Sequence, residues 1–231
     1  MRVDDDDLPL LYQIYNNVLD MLVARDYIVH EPRLTPVQYA EDFCEGDQVN
    51  RTKLALSHIH KVERGKNIRV FFHAHTKSTG VKELHHILSA LGDTRTRCII
   101  ILAAGCGLTA PAKKLINEMN KDPIHIECFS EEELMTPDFL EIGKVYKHQY
   151  HLLTDEKKKA LFKRYGGTAG ITTRFPAIGM NDMVARYFGM TYMDVLSCTR
   201  ASETAGMYTK YQVCLYVEQL PREQAVKRIK K

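Results

Sequence analysis

No apolar run in this sequence approaches the ~18 residues that a membrane-crossing helix needs, and the opening Asp4-Asp5-Asp6-Asp7 is the opposite of a secretory signal's basic flank. An intracellular protein with no membrane partner is therefore expected. There is no C-x-x-C pair: Cys44, Cys98, Cys106, Cys128, Cys198 and Cys214 lie far apart, which indicates neither a zinc site nor a disulfide framework and predicts free thiols in a reducing compartment. A Walker-type loop, a G-x-S-x-G elbow and an H-E-x-x-H helix are missing, so the commonest hydrolase signatures are absent. No internal repeat or low-complexity segment stands out.

What the sequence does contain is an ordinary globular composition, 45% hydrophobic and 26% charged, over 231 residues, a length that suits two small domains. Its net charge of +3 hides an asymmetry: residues 1–140 carry 16 Lys+Arg against 21 Asp+Glu, residues 141–231 carry 16 against 8, and the two parts sum to −5 and +8. A basic second part fits an acidic partner, nucleic acid or an acidic protein face, and equally fits many structural domains. Met135-Thr136-Pro137 breaks the preceding pattern near this change of charge, so a boundary is placed between Pro137 and Val145, giving domains over 1–142 and 143–231.

Leu8, Leu11, Ile14, Tyr15, Val18, Leu19 and Leu22 recur at helical spacing with the Asp run at the positive end, which predicts a first helix packed on one face. Tyr27-Ile28-Val29 reads as a short extended stretch, and Thr35-Pro36 as a helix start whose buried side is Tyr39 and Phe43. From Leu54 an α/β pattern follows: strands at Leu54 to Ile59, Ile68 to Phe72, Cys98 to Leu102 and Ile124 to Glu127, with helices from Gly80 to Leu91 and from Thr109. Cys98 to Leu102 is apolar without alternation, as in a strand covered on both faces, and its more polar neighbours read as peripheral. Ser130-x-x-Glu133 has capping-box spacing. In the second part, Thr154 opens a helix that ends at Gly166-Gly167, and a loop runs on to Phe175-Pro176. Asn181-Asp182 caps a helix from Met183 to Phe188, stopped by Gly189. Val195 to Arg200 and Met207 to Val217 read as strands joined through Ser202 to Gly206, and Leu220 to Lys231 as a basic tail or surface helix. The fold class is α/β, α+β overall.

Several constellations invite chemical readings. Gly105-x-Gly107-x-x-Ala110 follows a buried strand and opens a helix, with Glu127 twenty residues past Gly107. That order suits a dinucleotide or adenosine-cofactor site, as in a methyltransferase, and suits a simple strand-to-helix turn as well; Pro111 removes one amide donor. Cys106 in the same turn is a thiolate candidate or a small residue in a tight bend. His58 with His60, and His73 with His75, share a strand face two by two; with Lys61, Arg64, Lys66 and Arg69 interleaved they read as a solvated polar face, and His85-His86 as helix surface. Glu131-Glu132-Glu133 and Asp155-Glu156 are explained by helix dipoles.

The segment from Phe175 through Leu215 carries the most specific signal: Phe175-Pro176-Ala177-Ile178, then Asp182-Met183-Val184-Ala185-Arg186-Tyr187-Phe188-Gly189, then Arg200-x-Ser202-Glu203-Thr204-Ala205-Gly206-x-Tyr208 and Tyr211. It resembles the carboxy-terminal domain of the fifth-largest common subunit of eukaryotic nuclear RNA polymerases, a domain with an archaeal counterpart. Asp155-Glu156-Lys157 to Lys163-Arg164-Tyr165 looks like that domain's first helix, and Leu108-Thr109-Ala110-Pro111-Ala112-Lys113 like a looser form of the Thr-Pro turn in the family's amino-terminal domain. Residues 1–97 agree in layout and length.

The resemblance implies a nuclear, non-catalytic polymerase subunit without cofactor or metal, monomeric within a hetero-oligomer. It would have an amino-terminal helical and α/β jaw domain near downstream duplex DNA and a small mixed α+β assembly domain docked on the largest subunit beside neighbouring small subunits. The implied docking residues are Pro176, Asp182, Arg186, Tyr187, Arg200, Ser202, Glu203, Thr204, Gly206 and Tyr208; Thr109, Lys113 and Lys114 are the DNA-facing candidates. Arg186 and Arg200 suit bidentate pairing with carboxylates of the connecting turn or of a partner, and Gly206 permits positive φ there. Met183 stands where the family usually has Pro, Met193 where it has Gly, Ser197 for Lys and Met207 for Arg, and Lys144 to Tyr150 does not keep the usual pattern. These departures suggest a divergent copy dedicated to one polymerase class, such as polymerase I.

Overall fold

A computed structural model of the chain describes residues 7–46, 48–62, 67–73, 78–89, 96–120, 125–135, 149–202, 204 and 206–216. The chain divides into two compact units, Met1–Thr136 and Pro137–Lys231. The boundary expected between 142 and 143 lies outside the described residues, as do His75, Glu203 and the tail from Leu220.

The first unit begins with α1 (Asp7–Ala24), whose apolar stripe Leu11, Ile14, Tyr15, Val18, Leu19 and Leu22 is buried as the spacing predicts. It ends where Asp26 takes a left-handed φ of 63° and hands the chain to β1 (Tyr27–Ile28). Next, α2 (Pro36–Phe43) carries a reciprocal cap: the Gln38 backbone N–H donates to the Thr35 hydroxyl, and the Thr35 N–H donates to the Gln38 side chain. Tyr39 is fully buried, with ring centroids 5.4 Å from Tyr12, 5.6 Å from Tyr15 and 5.0 Å from Phe43, so one aromatic cluster joins the two helices.

After the short pair β2 (Cys44–Glu45) and β3 (Gln48–Val49), an Asn50-capped 3-10 turn occupies Arg51–Leu54, so β4 begins only at Leu56 and runs to His60. It is followed by β5 (Asn67–His73), α3 (Val81–Ser89), β6 (Thr96–Leu102), α4 (Ala110–Met119), β7 (Ile126–Ser130) and α5 (Glu131–Met135). The sheet order is β1-β4-β5-β6-β7, antiparallel through β5 and parallel from β5 to β7. Cys98 to Leu102 is buried on both faces, as expected. Cys98, Ile100 and Leu102 meet Leu84 and Ile87 of α3 and Ala112 and Ile116 of α4. The opposite face holds Ile68 together with Val70 and Phe72, the last two in register with Ile99 and Ile101, and Phe72 lies 6.4 Å from the Tyr15 ring of α1. The expectation that the neighbours of β6 are peripheral fails for β5, which is the middle strand: its alternating pattern arises because only Ile68, Val70 and Phe72 face the α1 side, and these are all buried.

The second unit contains β8 (Gln149–Leu152), α6 (Asp155–Arg164), α7 (Gly167–Arg174), β9 (Ala177–Gly179), α8 (Met183–Tyr187), β10 (Val195–Ser202) and β11 (Gly206–Leu215). Its sheet runs β8-β10-β11-β9, with β9 parallel to β11 and the rest antiparallel. One face packs Val195, Val213 and Leu215 against Ile171 of α7, with Leu161 and Phe162 of α6 alongside. Lys158 of α6 is tied to Asp194 at 2.9 Å and to Asp155 at 3.0 Å.

The loop expected before Phe175 is instead the helix α7. Only one of its residues, Ile171, is buried, so it shows no apolar period, and the Thr172 and Thr173 hydroxyls bond back to helix carbonyls. Gly166 and Gly167, at φ 86° and 75°, turn the chain between the helices. Gly170 lies so close to the preceding turn that a Cβ there would stand 1.8 Å from the Tyr165 carbonyl oxygen. Met193 adopts φ 67° where a glycine would be natural, and its side chain packs on the Ile171 cluster.

Candidate functional site

The Gly105 turn can be tested directly as a cofactor crevice. Gly105 has φ 72°, and the Cys106 N–H closes the turn on the Ala103 carbonyl at 2.9 Å. The backbone beyond it is already engaged: the Thr79 N–H donates to the Gly107 carbonyl at 2.8 Å, and the Thr109 N–H donates to the Thr79 carbonyl at 3.1 Å. The Ala104 N–H donates to Glu131 at 3.0 Å, and Glu131 is itself buried in an ion pair with Arg51. Glu131 thus stands in the first turn of α5 as its dipole reading has it, and in addition braces the Gly105 turn from within. Ser130 and Glu133 do form the reciprocal cap that their spacing predicts.

Glu127 rules out the nucleotide reading. It is opposite Ile99 in the middle of β6, so the remaining three residues of that strand alone put ~10 Å between it and the turn. Its side chain lies on the α1 face, bonded to Arg25 at 2.5 Å and to His125 at 3.1 Å. Burial raises its pKa, yet the charges of Arg25 and His125 outweigh that and hold the carboxyl down at about 2. A carboxylate whose oxygens are spoken for in this way is a structural ion pair, and the methyltransferase alternative built on Gly105, Gly107 and Glu127 is overturned.

His58 also differs from its reading as part of a solvated face. It is buried on the α1 side of β4, its Nδ1 3.0 Å from the Ile28 carbonyl and its Nε2 3.4 Å from Glu31. The β-strand period brings His58 into line with buried Leu56, while Ser57 and Ile59 face out. His85 and His86 are exposed as expected. Among the described residues no group of His, Cys, Asp or Glu is arranged to hold a metal ion, and no helix is long and apolar enough to cross a membrane.

The DNA-facing candidates fall together on one helix end. Thr109 caps α4, its hydroxyl accepting from the Ala112 N–H at 3.4 Å, and Lys113 and Lys114 stand exposed on the first two turns. Lys114 Nζ is 4.0 Å from Glu118 on the next turn, a loose pair between exposed groups.

The docking candidates are not brought into one place. Pro176 leads into β9, its carbonyl accepting from the Val213 N–H at 3.0 Å. Asp182 caps α8 by accepting from the Val184 N–H at 3.0 Å, and Tyr187 is buried with its ring 5.3 Å from Phe188. These residues and the half-buried Arg186 sit beside the Leu215 end of β11, because the Met180 N–H bonds the Leu215 carbonyl. The second group is at the other end of that strand, ~30 Å away by strand rise. There Ser202 pairs with Gly206 at the hairpin closure, Gly206 has the expected positive φ of 70°, and the hydroxyls of Ser202 and Thr204 lie 3.4 Å apart. Arg200 and Tyr208 are cross-strand partners, the guanidinium 5.7 Å from the centroid of a half-exposed ring. Tyr208 is thus a neighbour of Arg200 that the sequence reading did not anticipate.

Motif reasoning missed a groove of about 420 Å³ in the second unit, lined by residues from His151 to Tyr211. Its side chains come from β8, α6, β10 and β11, so the only local signal was the pair Lys157 and Arg164 on one helix.

Comparison with known proteins follows this geometry closely. The model of the RNA polymerase Rpb5 N-terminal domain matches residues 5–91, and that of the RNA polymerase Rpb5 C-terminal domain matches residues 143–214. The subunit rpabc1 of DNA-directed RNA polymerases I, II, and III from Dictyostelium discoideum is 32% identical over 212 residues, covering 91% of this chain and 100% of that protein. The corresponding RPABC1 of Caenorhabditis briggsae is 33% identical over 219 residues, covering 90% and 98%. A DNA-directed RNA polymerase subunit 5-like protein 1 from Arabidopsis thaliana is 29% identical over 212 residues, covering 90% and 97%.

Proposed function

Because this chain belongs to the RNA polymerase Rpb5 family, a family of non-catalytic polymerase subunits, we propose that it docks on the largest subunit of a nuclear RNA polymerase and helps guide downstream duplex DNA. It is a subunit of a DNA-directed RNA polymerase and works within a hetero-oligomer. The observation that carries the docking reading is the exposed end of the β10–β11 hairpin, where Arg200 and Tyr208 present a cation and an aromatic face side by side. Arg and Tyr in that arrangement are the residue types that anchor protein interfaces. Asp182, Tyr187 and Pro176 support docking less directly, by holding α8 and β9 in shape.

The guidance role rests on the exposed pair Lys113 and Lys114 at the Thr109-capped start of α4, a place suited to phosphate contact without base reading. With 21 acidic against 16 basic residues over 1–140, such contact is local and weak in isolation. Replacing both lysines by alanine should lower salt-sensitive crosslinking to downstream DNA within the assembled enzyme; unchanged crosslinking refutes their role.

A finer reading, that this copy serves a single class such as polymerase I, is supported by its departures. Met207 leaves an exposed thioether where the family has a cation, and Ser197 spends its hydroxyl on the His151 carbonyl at 3.0 Å where the family has a lysine. Purification of the tagged chain from nuclear extract at native abundance, followed by identification of stoichiometric partners, tests both levels. Recovery of one class of largest subunit supports dedication; recovery of three classes in equal measure sinks it; recovery of none sinks docking altogether.

A further inference from the structure

Among the described residues of the second unit, one sheet face is only partly covered. On that face the level of Val195 and Val213 is buried beneath Ile171, whereas at the next level buried Ser197 is flanked by exposed His151 and half-buried Tyr211 beside α6. The groove of about 420 Å³ lies there, on the face of the sheet opposite to Arg200 and Tyr208. Lys157 and Arg164 are seven residues apart on α6, so both project along one side of it, ~10.5 Å apart along the axis. Between them the wall is Ala160 and Leu161, with half-buried Leu153 at the end of the edge strand β8 on the same side of the sheet. Among the described residues no carboxylate lines the groove.

We propose that this groove receives an acidic, extended segment of a neighbouring subunit, whose carboxylates meet Lys157 and Arg164 while one apolar side chain between them rests on Ala160, Leu161 and Leu153. The inference rests on the reading of the chain as a subunit of a larger enzyme. Charge complementarity selects the sign of the occupant: among the described lining residues two cations on one rim face no acid, Arg164 lying only over the Tyr165 ring at 5.7 Å, so carboxylates of a partner match the rim. The apolar wall selects its class, because a sugar-phosphate backbone has no apolar side chain to cover Leu153 and Leu161. Two acidic residues three or four positions apart in an extended chain span ~10–13 Å, which matches the separation of the two cations.

The test is photo-crosslinking in the purified, assembled enzyme with benzoylphenylalanine placed at Ala160 in one preparation and at Tyr208 in another. The expected result is a link from Ala160 to a subunit segment carrying acidic residues on both sides of the linked position. Its yield should fall at least about fivefold in the Lys157→Glu, Arg164→Glu double variant, while the Tyr208 link is unchanged. Absence of a link at Ala160 while Tyr208 links overturns the groove and leaves docking standing. A nuclease-sensitive product, a linked segment without acidic residues, or a yield indifferent to charge reversal also overturns it. Links from neither position overturn the docking reading together with this one.

Discussion

Replacing Glu127 by glutamine should destabilise the first unit severely, because Arg25 is buried and the 2.5 Å contact with Glu127 is its ion pair. Removing the carboxylate of such a pair takes the counter-ion from a buried charge, at a cost of roughly 3–5 kcal/mol. The titration of Glu127 gives an independent figure: lowering its pKa from 4.5 to about 2 corresponds to roughly 3 kcal/mol at neutral pH. A carboxyl whose folded pKa is depressed contributes its stability in full above pH 4.5 and loses it as the pH falls through about 2. The difference between wild type and Glu127→Gln should accordingly be widest at pH 7 and shrink toward zero near pH 2. Urea denaturation of the full chain measures it, with hydrogen exchange of β7 and β11 peptides reporting the two units separately. Adding Arg25→Met to Glu127→Gln should recover most of the loss, since a pair replaced by neutral groups leaves no orphaned charge. A single variant within about 1 kcal/mol of wild type, or a deficit that persists undiminished at pH 2, would refute the reasoning.

Other outcomes follow from the same geometry. Gly170→Ala should destabilise the second unit by roughly 2–3 kcal/mol, since the added Cβ meets a backbone oxygen that cannot swing aside; a urea midpoint equal to wild type would contradict the close approach. Asp182→Ala removes the α8 cap and should cost about 1 kcal/mol, read as faster amide exchange at Val184; unchanged exchange there would remove Asp182 from that role. Lys158→Met should weaken the second unit at neutral pH. Burial works to lower the Lys158 pKa, but Asp194 and Asp155 raise it above 10.5, so the stability they share is present below pH 10.5 and fades as pH climbs through the raised value. Denaturation curves of variant and wild type should therefore converge at strongly alkaline pH; a constant gap would assign the effect to packing.

Much of this protein was legible residue by residue along the chain. The α1 stripe, the Thr35 and Ser130 caps, the Asp182 cap and the positive φ at Gly206 obey rules that act within about four residues, so neighbouring letters suffice to state them. The ordered motif from Phe175 to Leu215 identified the family for the same reason, as a string of adjacent constraints, but the distances between its parts are not written there. Folding puts its Asp182 and Arg200 groups at opposite ends of β11, since an extended strand of ten residues separates whatever flanks it. Burial was the other quantity that local spacing could not supply. Glu127 became a structural carboxylate because Arg25, about a hundred positions earlier, is delivered to it by the end of α1, and Glu131 braces the Gly105 turn because Arg51 arrives across the same core. In α7 a single apolar residue was enough for a helix because the sheet beneath it buries Ile171, while the groove beside α6 exists only where four elements meet. Short-range hydrogen bonding and periodicity are written in consecutive residues; the desolvation that turns an acid into a brace, or a bare sheet face into a groove, depends on which distant side chains come to lie against it.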